Sequence, residues 1–214
     1  MKINKLLIIV VAFTMTTKSF AQVKYGVKAG LNLANILAKD NDYTYSDDYS
    51  TRIGIHLGVT AELPISEKFS LQGGLLYSTK GYRFSLDDSS GNSIESFSVI
   101  LQYYEIPINV IYKIELGGLK LCLNAGPYLG YAFRGVAKDS EGYSEDLNIG
   151  YTDDDDIKAL DFGFNIGAGV ELNDKITIGL QYGLGLTNTA SYTENGYRVN
   201  NRVIGISFGY MFGQ

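Results

Sequence analysis

Residues 52–63, Arg52-Ile53-Gly54-Ile55-His56-Leu57-Gly58-Val59-Thr60-Ala61-Glu62-Leu63, alternate without a break. Each odd position is apolar, and each even one is charged, polar or glycine. A side-chain period of two is the mark of a strand with two unlike faces. The run also exceeds the roughly 9–11 residues with which a tilted strand crosses hydrocarbon.

The same pattern recurs on both sides of this run. Upstream, Tyr25, Val27, Ala29, Leu31 and Leu33 oppose Gly26, Lys28, Gly30 and Asn32. Downstream, similar runs cover about residues 69–84, 99–113, 120–134, 160–172, 176–186 and 204–212. The run at 99–113 is apolar on both faces at its start, which suggests a bulge there. Pro64–Lys68, Glu115–Gly118 and Asn173–Lys175 make short turns; Asn35–Thr51, Ser85–Ser98, Gly135–Lys158 and Thr187–Asn201 make long connections. No segment after residue 22 carries a helical period. Eight strands with short turns at one end and long loops at the other predict an all-β fold, an eight-stranded antiparallel up-and-down transmembrane β-barrel. Strands can span a membrane only when closed into a barrel, because every backbone polar group must be paired there.

A soluble barrel alternates too, with its apolar face inward, and the glycines decide between the two. Most of the 25 glycines fall on the polar face of a run. On the outside of a soluble barrel they would only weaken strands. Inside a narrow eight-stranded bore they leave room for the large polar side chains that share it. The 17 Tyr and 10 Phe, many on the apolar face towards strand ends, suit two interfacial girdles. The absence of Trp has no such account.

Composition removes other classes. One Cys and one His exclude a disulfide framework and a zinc cage. A net charge of -5 and a pI near 4.9 argue against nucleic-acid binding. At the N-terminus, Lys2 and Lys5 precede an apolar run, Leu6 to Met15, and Ser19-Phe20-Ala21 offers small residues at the -3 and -1 sites. This is the layout of a secretory signal peptide over residues 1–21, with Gln22 opening an outer-membrane barrel domain over residues 22–214.

Gly26-Val27-Lys28-Ala29-Gly30-Leu31-Asn32, Tyr104-Glu105-Ile106-Pro107, Ala125-Gly126-Pro127-Tyr128-Leu129-Gly130, Asp161-Phe162-Gly163 and the closing Gly205-Ile206-Ser207-Phe208-Gly209-Tyr210-Met211-Phe212 resemble the PorT-like outer-membrane β-barrel family of Bacteroides-type bacteria. The resemblance runs over the whole chain after residue 21. It implies a bacterial outer-membrane location, contact with lipid and lipopolysaccharide, and recognition of the C-terminal strand by the outer-membrane assembly machinery. Here the last aromatic, Phe212, is followed by Gly213 and Gln214, an overhang that recognition must tolerate.

Few residues suggest chemistry. His56 points inward, and a barrel enzyme acting on lipid would need such an imidazole beside Ser or Asp. The competing reading places it in an interior network with Arg52, Glu62, Lys80, Glu105, Arg134, Asp161 and Glu171, since charges in a narrow bore must pair. Asp153–Asp156 could bind a divalent cation but lacks the glycine and distal Glu of a calcium loop; such a run is ordinarily solvated and mobile. Cys122 reads as a small buried filler. The four long loops hold 16 of the 23 acids and several Tyr, among them Tyr43, Tyr45, Tyr49, Tyr143, Tyr151, Tyr192 and Tyr197, a composition suited to adaptable binding. No catalytic, cofactor or metal residue is assigned. The expected role is a non-enzymatic barrel, structural or surface-interacting. The alternatives are an accessory subunit of a secretion or envelope-assembly machine and, third, a lipid-modifying enzyme using His56.

Overall fold

The computed structural model of the chain describes residues 23–87, 93–152 and 154–212. The proposed signal segment, residues 1–21, lies outside them, as do Asp153 and the Gly213-Gln214 overhang. Among the described residues eleven strands follow one another: β1 (Lys24–Lys39), β2 (Tyr49–Pro64), β3 (Phe69–Asp87), β4 (Ser93–Leu116), β5 (Leu119–Lys138), β6 (Ser144–Leu147), β7 (Ile149–Gly150), β8 (Ile157–Lys158), β9 (Leu160–Leu172), β10 (Ile176–Gly185) and β11 (Arg198–Phe212). Eight of them form the barrel, in the order β4-β3-β2-β1-β11-β10-β9-β5, and a β4–β5 pairing closes the ring. All eight junctions are antiparallel. Both described ends lie together at the short-turn rim, where Tyr25 pairs with Phe212.

The alternation has the sense expected of a membrane barrel. On β2, Ile53, Ile55, Leu57 and Val59 are 50–61% exposed, whereas His56, Thr60 and Glu62 are buried. On β9, Phe162, Phe164 and Ile166 face outward around buried Asp161 and Asn165. Two inward glycines show why such a bore needs them. A Cβ on Gly30 would stand 2.6 Å from the His56 ring, and one on Gly163 would stand 2.4 Å from the Tyr128 ring. Gly73, on the outer face, has nothing within 4 Å of that position.

The strands rise well above the span that alternation marks. β1 continues to Lys39 and β5 to Lys138, while β3 and β4 reach 19 and 24 residues. In these extensions the inner face turns apolar. Ala34, Ile36 and Ala38 on β1 are buried, as are Val99, Leu101 and Tyr103 on β4. The apolar start of β4 is therefore an inner face near the long-loop end of the barrel. The bulge expected there lies across the seam, on β5: Gln102 pairs with Arg134 but Tyr103 pairs with Ala132, leaving Phe133 as the extra residue. A second irregularity interrupts the β2–β3 register between Thr51 and His56.

The long connections are consequently shorter than their sequence bounds, and three of them are folded. Val99, Leu101, Tyr103 and Ala132 form a small core, with Tyr82, Phe84, Leu147, Ile149 and Ile157 packed against it. The connection from β5 to β9 returns as the hairpin strand β6, then crosses the mouth through the parallel pair β7–β8. It is stitched to the next loop by Lys158 N–H donating to Thr189 O at 2.9 Å, and to the wall by Ala132 N–H donating to Ala159 O at 2.8 Å. Burial of apolar side chains, worth about 1.5–3 kcal/mol for each large one, holds this plug in place.

Candidate functional site

Two lysine-centred clusters fill the bore. In the upper one, Lys80 of β3 lies 2.8 Å from Glu105 of β4 and 3.0 Å from Asp161 of β9. Its ammonium also sits 4.2 Å from the centroid of the Tyr128 ring and 4.9 Å from that of Tyr103. Asp161 is fully buried and further accepts hydrogen bonds from Tyr128 Oη at 3.2 Å and Asn201 Nδ2 at 2.9 Å. In the lower cluster, Lys113 of β4 lies 2.7 Å from both Glu62 of β2 and Glu171 of β9. An isolated buried charge is costly, and each lysine here offsets two carboxylates that would otherwise repel.

The interior network expected around His56 therefore forms in part. Lys80, Glu105 and Asp161 meet in one cluster and Glu62 and Glu171 in the other, but none of the five hydrogen-bonds His56. Lys113, not included in that network, is the cation that joins Glu62 to Glu171. Arg134 is a correction. The Phe133 bulge inverts the phase of β5, so Arg134 emerges on the exposed rim and pairs with Asp146 at 3.5 Å. Arg52 is half-buried and forms no ion pair with a described residue.

His56 is buried, and its Nδ1 lies 2.8 Å from Asn32 Oδ1. The Asn32 amide donates in turn to Ser78 Oγ at 3.0 Å and Thr79 O at 3.1 Å. With an amide oxygen opposite Nδ1, the imidazole carries its proton there, and Nε2 is an acceptor without a described partner. No serine or carboxylate of the described residues hydrogen-bonds the ring, so a nucleophile–base pair is not assembled around it. Cys122, half-buried, contacts Lys120 O at 3.8 Å through sulfur.

Two small cavities interrupt the packing. The upper one, about 40 Å³, is lined by His56, Lys80 and Glu105 among others, and the lower, about 70 Å³, by Glu62, Lys113 and Glu171. Lys28 lines both; its ammonium lies 3.4 Å from Gln181 Oε1. Each has room for one or a few waters, since one water needs on the order of 10–15 Å³.

The plugged mouth is the other distinctive surface. Tyr43 and Tyr143 are 70% exposed, and Tyr151 and Tyr192 nearly as much. The acids around them hold the loops in shape. Asp40 accepts from Tyr45 Oη at 2.7 Å and from the Tyr43 amide at 2.7 Å, and these bonds keep its carboxyl below the usual range. Asp155 accepts from both the hydroxyl and the amide of Thr152 and is lowered in the same way. Asp156 accepts from the Asn148 amide. Within the described part of the acidic run, Asp155 and Asp156 therefore accept hydrogen bonds from their own loop, while Asp154 and Asp156 are exposed to solvent. Three or more His, Cys, Asp or Glu grouped to hold a metal ion do not occur among the described residues.

A closed eight-stranded barrel that is apolar outside, charged within and short-turned at one rim defines a transmembrane β-barrel of the outer-membrane class. Residues 19–191 match the family model for the outer membrane protein beta-barrel domain, and the chain belongs to that family. It resides in the bacterial outer membrane, surrounded by lipid and lipopolysaccharide. Among solved structures it is similar to Neisserial surface protein A, at 15% identity and a TM-score of 0.46, covering 89% of this chain and 99% of that one. It is also similar to OprG of Pseudomonas aeruginosa, at 9% identity and 0.42 over 92% and 99%. The attachment invasion locus protein Ail of Yersinia pestis is similar at 16% identity and 0.39 over 89% and 99%. No curated protein matches the chain.

Proposed function

We propose that this barrel is a non-enzymatic surface-interaction protein whose working part is the folded, acidic, tyrosine-bearing cap over a plugged bore. The observation that carries this reading is the pairing of four widely exposed tyrosines, Tyr43, Tyr143, Tyr151 and Tyr192, with loops held in fixed shape by their own carboxylates. Exposed rigid aromatics on an ordered platform give contact area at small entropic cost, which is the economy of binding loops. In this reading residues 1–21 are removed as a signal peptide, Gln22 opens the mature chain, the short turns face the periplasm and the cap faces outward. The C-terminal strand β11 is what the assembly machinery engages, and the motifs shared with PorT-like barrels support that assignment.

The test is photo-crosslinking in intact cells from a probe at Tyr143 or Tyr192, with a probe at Ile65 on a short turn as control. Discrete adducts from the cap and not from the turn support the reading; adducts only from the turn would shift the role to the periplasmic side.

A further inference from the structure

The arginines of the chain gather at one end of the barrel. Arg52, Arg83, Arg134, Arg198 and Arg202 all stand within five residues of the long-loop ends of their strands. Of these, Arg134 alone is ion-paired to a described residue. On the outward face of the β1–β11 pair, three cations climb the wall. Arg202 stands opposite Asn35, directly above the outward pair Leu33 and Ile204, and Lys39 stands opposite Arg198 two outward rows higher. Like charges directly opposite one another in a sheet repel, and none of the three meets a described carboxylate. Arg202 Nη2 donates to Ile36 O at 2.8 Å, which pins the guanidinium to the wall, while its Nε has no partner among the described residues.

A notch of about 290 Å³ opens beside Arg202 in the outer wall. Asn35, Thr51 and Arg202 form its polar part, and Leu33, Tyr182 and Ile204 its apolar part. Tyr182 and Ile204 also line a larger, mainly apolar groove of about 690 Å³ lower on the same wall, so the two depressions are continuous. The groove exists because two small side chains are set among large ones: Ala168 pairs with Leu123 and Leu180, and Ala125 pairs with Ile166. A cation at the edge of hydrocarbon is costly unless it meets a counter-ion. A guanidinium suits phosphate, which accepts from it in a bidentate fork. Inorganic phosphate would leave the groove empty; a molecule that carries phosphate next to acyl chains fills both parts.

We infer that this depression seats one lipopolysaccharide molecule, its phosphate on Arg202 below Lys39 and Arg198 and an acyl chain in the groove past Tyr182 and Ile204. The site lies on the outer wall beneath the cap and does not depend on what the cap binds. The choice of lipopolysaccharide over phospholipid rests on the outward orientation of the cap, which sets this rim in the outer leaflet.

The experiment refolds the mature chain in detergent and titrates it, by native mass spectrometry, with four probes: short-sugar lipopolysaccharide, the same lipid stripped of phosphate, phosphatidylglycerol and inorganic phosphate. One lipopolysaccharide should bind per barrel, the stripped lipid about tenfold or more weakly, phosphatidylglycerol more weakly than lipopolysaccharide, and inorganic phosphate should not displace it. Arg202→Gln should weaken the intact lipid by a similar factor and leave the stripped one unchanged. Ala168→Phe, which fills the groove, should weaken both, and Arg83→Gln, on β3 away from the notch, neither. Equal affinity for intact and stripped lipid, or no effect of Arg202→Gln, would overturn the phosphate contact. Phosphatidylglycerol bound as tightly as lipopolysaccharide would overturn the choice of lipid, and dimers in place of the lipid adduct would give the groove to a second copy. The comparison of intact with stripped lipid uses the unaltered chain, so it decides the matter even where a variant does not fold.

Discussion

Lys80 Nζ and Asp161 Oδ2 meet at 3.0 Å across the bore, joining β3 to β9, strands separated around the barrel wall by β4 and β5. The contact is a tie across the interior and not a neighbour pair within the sheet. Removing Lys80 would leave Glu105 and Asp161 buried without their cation. Lys80→Met is expected to cost about 3–5 kcal/mol, read as a lower urea midpoint for loss of the fast-migrating folded band. A midpoint unchanged from the parent would mean the bore is wet enough to screen both carboxylates.

The glycines of the wall should divide by face. Gly163→Val would drive a methyl into the Tyr128 ring, already 2.4 Å from a Cβ at that position, whereas Gly73→Val meets open space. The first is expected to abolish the folded band or lower its melting midpoint by many degrees. The second should leave the midpoint near that of the parent. Comparable effects from the two would contradict the assigned faces.

The acidic turn of the cap should respond to pH in one direction. Thr152 holds the Asp155 carboxyl below the usual aspartate value. A lowered folded pKa means the turn's contribution is complete above the unfolded value of about 3.9 and is lost as pH falls through the lower folded one. Protection of the Thr152 amide, its exchange rate relative to an unstructured amide at the same pH, should therefore hold through mildly acidic pH and fall only below about pH 4. Thr152→Val should move that onset upward. An onset near pH 6 in the parent would refute the capping role.

His56 should prove structural. His56→Ala removes the partner of Asn32 Oδ1 and opens space beside Gly30, with an expected cost of about 1–3 kcal/mol. Lipid deacylase or acyltransferase activity that is present in the parent and lost in His56→Ala would restore the enzymatic reading.

Much of this architecture is legible in the chain, and the failures have identifiable causes. Period-two alternation marks which side a residue faces, so Glu62, Asp161 and Glu171 are correctly placed inside. It does not report height. Ala34, Ile36 and Ala38 face inward like Asn32, but the inner face there is apolar, so β1 is read as ending at Leu33 when it continues to Lys39. A single bulged residue, Phe133, is enough to send Arg134 to the wrong face, and no local signal announces it. Lys113 is placed on the polar face by its phase, but its role between Glu62 and Glu171 depends on which strands stand opposite across the bore. The plug, too, rests on pairings such as Ile157 with Ala190, which residue type alone does not reveal.

The central claim is that the apolar faces of the barrel look into lipid. It is tested most directly by photolabelling the folded protein in bilayers with a carbene precursor dissolved in the acyl chains, followed by residue-level mass spectrometry. The account predicts labels on Ile55, Leu57, Phe162, Phe164 and Ile166 and none on His56, Asp161 or Asn165. Labels falling equally on both sets, or sparing the first, would contradict it.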